Sequence, residues 1–113
     1  MNILMLIYIF GGSLLILLSI PLILRKIPPN PLYGFRTGWT MEDPDLWYSV
    51  NAYAGKWLVF VGICSIFGSV GLALVPGITL DVYAFANLGI FVASFTLAIV
   101  QSFRFLRTMD SQK

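Results

Sequence analysis

Three stretches of this chain run without a charged residue for long enough to cross a lipid bilayer, and they leave few other folds open. Ile3–Leu24 has 22 residues, which as an α-helix reach about 33 Å. Trp57–Val75 and Val82–Phe103 are also uncharged. Each suits a hydrocarbon core about 30 Å thick, with slight tilt or a short unfilled end. Backbone groups in lipid must bond within their own segment, so runs of this length predict helices, not strands. A chain of 113 residues that is 58% hydrophobic and 11% charged cannot cover a soluble core with polar surface. The expectation is an all-α integral membrane protein. It forms a single membrane domain over 1–113, with transmembrane helices at about 3–24, 57–75 and 82–103 and a loop at 25–56.

The first run reads as an anchor, because it lacks a positive n-region, exceeds an h-region in length and has no small-residue cleavage site before Arg25. Three crossings put the 25–56 loop and the C-terminal tail on one side. Arg25, Lys26, Arg36 and Lys56 lie in or beside the loop, and Arg104, Arg107 and Lys113 in the tail, which is every basic residue of the chain. The other side has Met1-Asn2 and the short turn Pro76–Asp81. The positive-inside rule therefore predicts the N-terminus outside and both loop and tail cytoplasmic. Basic residues at that level suit contact with membrane lipid better than with nucleic acid, which is not an expected partner.

Small and polar residues form stripes along the expected helices. Asn87, Ser94 and Gln101 recur every seven residues and share a face; Ala86, Gly89 and Ala93 form a separate small-residue face. Gly62, Ser65, Ser69 and Ala73 line the second helix, and Tyr8, Gly12 and Ser19 the first. Such faces let membrane helices approach closely, within one chain or in a homo-oligomer. A polar pathway along Asn87 is the competing reading, and packing is favoured over it. Pro21 is expected to kink the end of the first helix.

The chemistry available is narrow. The chain has no histidine, and its single cysteine, Cys64, falls mid-membrane. Neither a His/Cys metal site nor a Ser-His or Cys-His nucleophile can be assembled from one chain. No acid or base falls within a span, which argues against a proton-coupled pump. No enzyme, cofactor or metal is expected.

The loop carries Pro28, Pro29, Pro31 and Pro44. The proline cluster predicts an extended segment before Tyr33-Gly34 turns the chain. Asp43-Pro44 reads as a helix start, with Thr40 and Asp43 as a competing capping box. From Pro44 the pattern is amphipathic, with Leu46, Val50, Tyr53 and Trp57 on one face and Asp45, Ser49 and Lys56 polar. An interfacial helix is expected there, running, with or without a bend near Gly55, into the second span. Trp39, Trp47 and Trp57 suit the headgroup region. The loop is thus expected to be an ordered cytoplasmic cap.

Asn30-x-x-Tyr33-Gly34-Phe35-Arg36-Thr37, followed by Trp39-Thr40 and then Trp47-x3-Asn51-x3-Gly55, resembles the core of the SdpI/YfhL family. These are bacterial membrane proteins named for an immunity protein against a secreted peptide toxin. The resemblance implies a binding or motif set of Asn30, Tyr33, Gly34, Arg36, Thr37, Trp39, Trp47, Asn51 and Gly55. It also implies immunity-like protection against a membrane-active peptide by binding. Two roles are open for Arg36: pairing with Glu42, Asp43, Asp45 or helix-end carbonyls, or two-point recognition of a lipid or partner. Trp47, Asn51 and Gly55 share a helix face and are expected to dock that helix against the loop. Gly34 and Gly38 read as backbone devices that permit positive φ. Two other function classes fit three short spans: a holin-like pore former, against which the long loop argues, and an accessory subunit docking on another membrane protein.

The topology has a direct test. With Cys64 replaced by Ser, a cysteine at Gly77 should react with an impermeant thiol reagent on intact cells. One at Arg36 should react only after permeabilisation, and the reverse pattern would overturn the orientation.

Overall fold

The computed structural model describes residues 2–30 and 43–111. Three helices make up the regular structure among them: α1 (Asn2–Ile23), α2 (Pro44–Ala73) and α3 (Leu80–Ser111). All three are long and apolar enough to cross a membrane, which makes this a multi-pass, all-helical membrane protein in its described part.

Local chemistry sets the helix ends. α1 closes in a Schellman turn, in which Arg25 N–H donates to Leu22 O at 3.1 Å and Lys26 N–H to Pro21 O at 2.9 Å. The turn requires a left-handed residue, and Arg25 occupies it at φ 60 where glycine is the usual choice. Pro21 sits in the last turn of α1, where the absence of its N–H does not break the helix. α2 starts at Asp43-Pro44, and the Asp43 carboxylate accepts from Asp45 N–H at 3.0 Å and Leu46 N–H at 3.4 Å. The earlier capping-box start is thereby excluded. α3 is capped by Thr79, whose Oγ1 accepts from Val82 N–H at 3.2 Å.

α2 is the middle element: α1 and α3 each pack along it and scarcely touch one another. The molecule measures 54 × 23 × 19 Å. Its length exceeds a hydrocarbon core because α2 and α3, at 30 and 32 residues, reach about 45 and 48 Å.

That excess changes what covers the apolar face of the expected helix from Pro44. The segment from Pro44 is continuous with the second span, as expected, in one helix through Gly55. Its apolar face does not lie on a membrane surface. Leu46 and Val50 are buried against Leu106, with Phe105 and Met109 beside them, and the Tyr53 ring stacks on Phe105 with centroids 4.2 Å apart. α3 runs eight residues past the expected end at Phe103, and its last turns supply the apolar partner. Trp47 is likewise not a headgroup anchor, since it is fully buried. The reason is common to both corrections: an amphipathic helix covers its apolar face with whatever apolar surface the fold brings to it.

The α1–α2 seam rests on close backbone approach. A Cβ on Gly62 would lie 2.6 Å from Gly12 O, and one on Gly12 would lie 2.7 Å from Gly62 O. One heptad away, a Cβ on Gly55 would meet Ile23 Cγ1 at 2.9 Å and Ser19 O at 3.2 Å. The two helices run antiparallel in a constant register, so both points of contact fall on one seam. Between α2 and α3 the link is different. The Tyr83 hydroxyl donates to Ser69 O at 2.9 Å, and Tyr83 is fully buried.

The inward stripes of the three helices match the seams. Gly12, Ser19, Gly62, Ser65, Ser69, Asn87 and Ser94 are buried. The Gly89 and Ala93 face is not used within the chain: both residues are exposed, and nothing lies within 4 Å of where a Gly89 Cβ would stand. The interhelical glue expected of Asn87 is also absent. Its amide donates to Tyr83 O, four residues back in the same helix, at 3.0 Å.

Two substitutions separate these environments. Gly62→Val should destabilise by about 1–3 kcal/mol through overpacking at the seam. Gly89→Ala should leave stability unchanged or raise it by up to about 1 kcal/mol through helix propensity. Thermal or denaturant melts in detergent followed by circular dichroism measure both; equal melts would show that the seam carries no such constraint.

Candidate functional site

The motif residues divide between described and undescribed parts of the chain. Tyr33, Gly34, Arg36, Thr37 and Trp39 lie outside the described residues. Asn30, Trp47, Asn51 and Gly55 lie within them, where each has a definite setting.

Trp47, Asn51 and Gly55 are spaced four apart and share one stripe of α2, the stripe that faces the C-terminal half of α1. Trp47 donates its indole N–H to Ile27 O at 2.8 Å, a bond that ties the first turn of α2 to the segment leaving α1. A buried indole needs such a partner. Gly55 gives α1 room to approach, as described above. Asn51 is 1% exposed and donates to Trp47 O at 2.9 Å. Asn30 is half-buried and folds back onto its own segment, donating to Pro28 O at 2.8 Å. Trp47 and Gly55 thus shape the junction at which α1 ends and α2 begins.

Beside that junction the bundle is open. Because α1 and α3 are held apart by α2, a groove of about 300 Å³ lies between them, floored by Asn51, Ala54 and Leu58. Its walls are Leu15, Leu18 and Leu22 of α1, facing Phe95, Ala98, Ile99 and Ser102 of α3. Ser102 Oγ donates to Ala98 O at 2.7 Å, so the hydroxyl is satisfied within its helix. The groove is therefore an apolar concavity with an amide in its floor, at the level where the chain is still uncharged. Such a surface can take apolar side chains or an acyl chain, but it has no titratable group with which to do chemistry.

The position of these walls was not legible from spacing alone. Asn51 and Gly55 stood out by motif, whereas Ala54, Leu58 and Ala98 look like any lipid-facing residues until the gap between α1 and α3 is seen. Tyr83 was missed as well. The available signal was a tyrosine at membrane depth, whose hydroxyl must find an acceptor in the protein. Cys64 is a free thiol, half-buried. Among the described residues, no cluster of three His, Cys, Asp or Glu side chains could hold a metal. One buried polar atom among them, Ser65 Oγ, lacks a hydrogen-bond partner.

Comparison with known proteins follows the same segment. The pattern of the SdpI/YfhL protein family matches residues 26–103, which covers the junction, α2 and most of α3. An uncharacterised protein of Bacillus subtilis (strain 168), YfhL, is 33% identical over 67 residues, a match covering 57% of this chain and 57% of the relative. No solved structure matches.

The junction should respond to loss of the indole bond. Trp47→Phe keeps most of the ring but strands Ile27 O, and should cost about 1–3 kcal/mol. Leu106→Ala, opening the covered end of the α2–α3 pair, should cost about 2–5 kcal/mol. Both are read from melts in detergent, and a Trp47→Phe melt equal to wild type would remove the bond from the account of the junction.

Proposed function

The chain belongs to the SdpI/YfhL protein family, and from that premise we propose that it is a plasma-membrane protein giving immunity-like protection against a membrane-active peptide, by binding it. The observation that carries the binding reading is the groove between α1 and α3. It is apolar, about 300 Å³ in volume and open on the side of the bundle, so a peptide dissolved in the bilayer can reach it without passing through water. Apolar side chains of such a peptide would replace lipid in the groove, and the gain comes from shape and packing, because lipid tails are as apolar as the groove walls.

The proposed orientation adds a direction. The groove lies in the half of the bundle nearer Arg25, Arg104 and Arg107, the cytoplasmic half under the positive-inside rule. A secreted peptide would then be met from within the membrane after insertion, not at the outer surface. The Arg36 loop, on the same side, would serve to hold the junction or to pass the bound state to a cytoplasmic partner. Enzymatic destruction of the peptide has no support in this reading, since the groove holds no nucleophile or acid–base pair.

Survival of a sensitive bacterium under peptide challenge tests the proposal, with variants at matched membrane levels. Wild type should protect. Leu58→Trp, which fills the groove floor, should lower protection by roughly tenfold or more, the equivalent of about 1.4 kcal/mol of lost contact. Gly89→Ala, on the lipid-facing side, should protect as wild type does. Protection unaffected by Leu58→Trp would move binding away from the groove, and Arg36→Ala would then show whether it resides in the loop. Membrane depolarisation on expression, without protection, would favour the pore-forming class.

A further inference from the structure

A second concavity lies at the C-terminal end of α1, where its apolar run gives way to charge. Arg25 from the end of α1 and Asp45, Tyr48 and Ser49 from the first turns of α2 surround an open cleft of about 340 Å³. Arg25 and Asp45 are both exposed. They share the cleft, and among the described residues no ion pair joins them. Opposite charges that could close on one another are thus held on two walls of one opening. The Schellman turn helps to hold them there, since it fixes Arg25 at φ 60 at the point where the chain leaves the helix.

We propose that this cleft binds the headgroup of an aminophospholipid, with Arg25 and the Tyr48 and Ser49 hydroxyls on the phosphate and the Asp45 carboxylate on the primary ammonium. The charge pattern selects the ligand class. A phosphate joined by a short linker to an ammonium presents a charge opposite to each of the two in the cleft, whereas a purely anionic headgroup would leave Asp45 facing a like charge. Guanidinium and hydroxyl donors suit phosphate oxygens, and a primary ammonium donates to a carboxylate in charge-assisted hydrogen bonds. A quaternary ammonium cannot make those bonds. The depth is also right. Leu17, Ile20 and Leu24 in the preceding turns of α1 are exposed, so acyl chains below the headgroup would lie on an apolar helix face.

The full chain, purified in detergent and stripped of lipid, is mixed in turn with phosphatidylethanolamine, phosphatidylcholine and phosphatidylglycerol of identical acyl chains. Bound lipid is then counted by native mass spectrometry. The ethanolamine lipid should be retained on the order of tenfold better than the choline lipid, the ratio expected for one lost charge-assisted hydrogen bond. Asp45→Asn should abolish that preference, and Arg25→Gln should weaken retention of the ethanolamine and choline lipids alike. The headgroup series on the unaltered chain decides the matter even if a variant fails to fold. Equal retention of all three lipids, or a preference for phosphatidylglycerol that Asp45→Asn leaves unchanged, would overturn the proposal. Displacement by soluble glycerophosphoethanolamine at a concentration equal to that of the lipid would overturn a membrane lipid as the occupant.

Discussion

The contact on which this bundle depends is the meeting of Gly12 and Gly62. Their backbones approach so closely that a methyl group on either would overlap the carbonyl oxygen of the other. In lipid, helices gain little by hiding apolar surface from one another, so association rests on close packing and on hydrogen bonds. Gly12 and Gly62 permit that packing at one level, and Ser19 and Gly55 repeat it a heptad away. The register set there brings the C-terminal end of α1 beside the first turns of α2. Trp47 can then reach Ile27 O, and the family motif stripe acquires its structural setting.

The second dependence is on length. α2 and α3 both exceed what a hydrocarbon core requires, and they exceed it at the same end. The extra turns are amphipathic and cover one another through Leu46, Val50, Tyr53, Phe105 and Leu106. This covered end positions α2, which in turn holds α1 and α3 apart. The groove between them is a consequence of that separation: one helix in the middle, two that scarcely touch, and an apolar gap left on one side. The concave surface relevant to binding is therefore produced by helix arrangement and not by a dedicated loop.

The two concavities differ in what they can recognise. The groove offers apolar walls and a buried amide, so it discriminates by shape. The cleft at Arg25 offers separated charges and hydroxyls, so it discriminates by the charge pattern of a headgroup. They share no lining residue, and both lie near the end of the bundle where the basic residues collect. An inserted peptide and a lipid could then be bound at once without competing for the same side chains.

Composition and charge spacing by themselves determined that this is a three-span helical membrane protein, because no other structure satisfies the backbone across uncharged runs of this length. The Asp43-Pro44 helix start was legible for an equally local reason, as was the inward direction of the Gly12, Gly62 and Asn87 stripes. The motif from Asn30 to Gly55 was legible as a family signature. Only the tertiary structure decided what covers each face. The apolar side of the Pro44–Trp57 stretch could have met lipid or protein, and the last turns of α3 met it. Trp47 could have sat among headgroups, and Ile27 O drew it inside. Gly89 and Gly62 belong to similar small-residue patterns, yet one faces outward and the other forms the seam. Periodicity specifies which residues share a face, but the partner of that face depends on helix lengths and register, which are properties of the whole bundle.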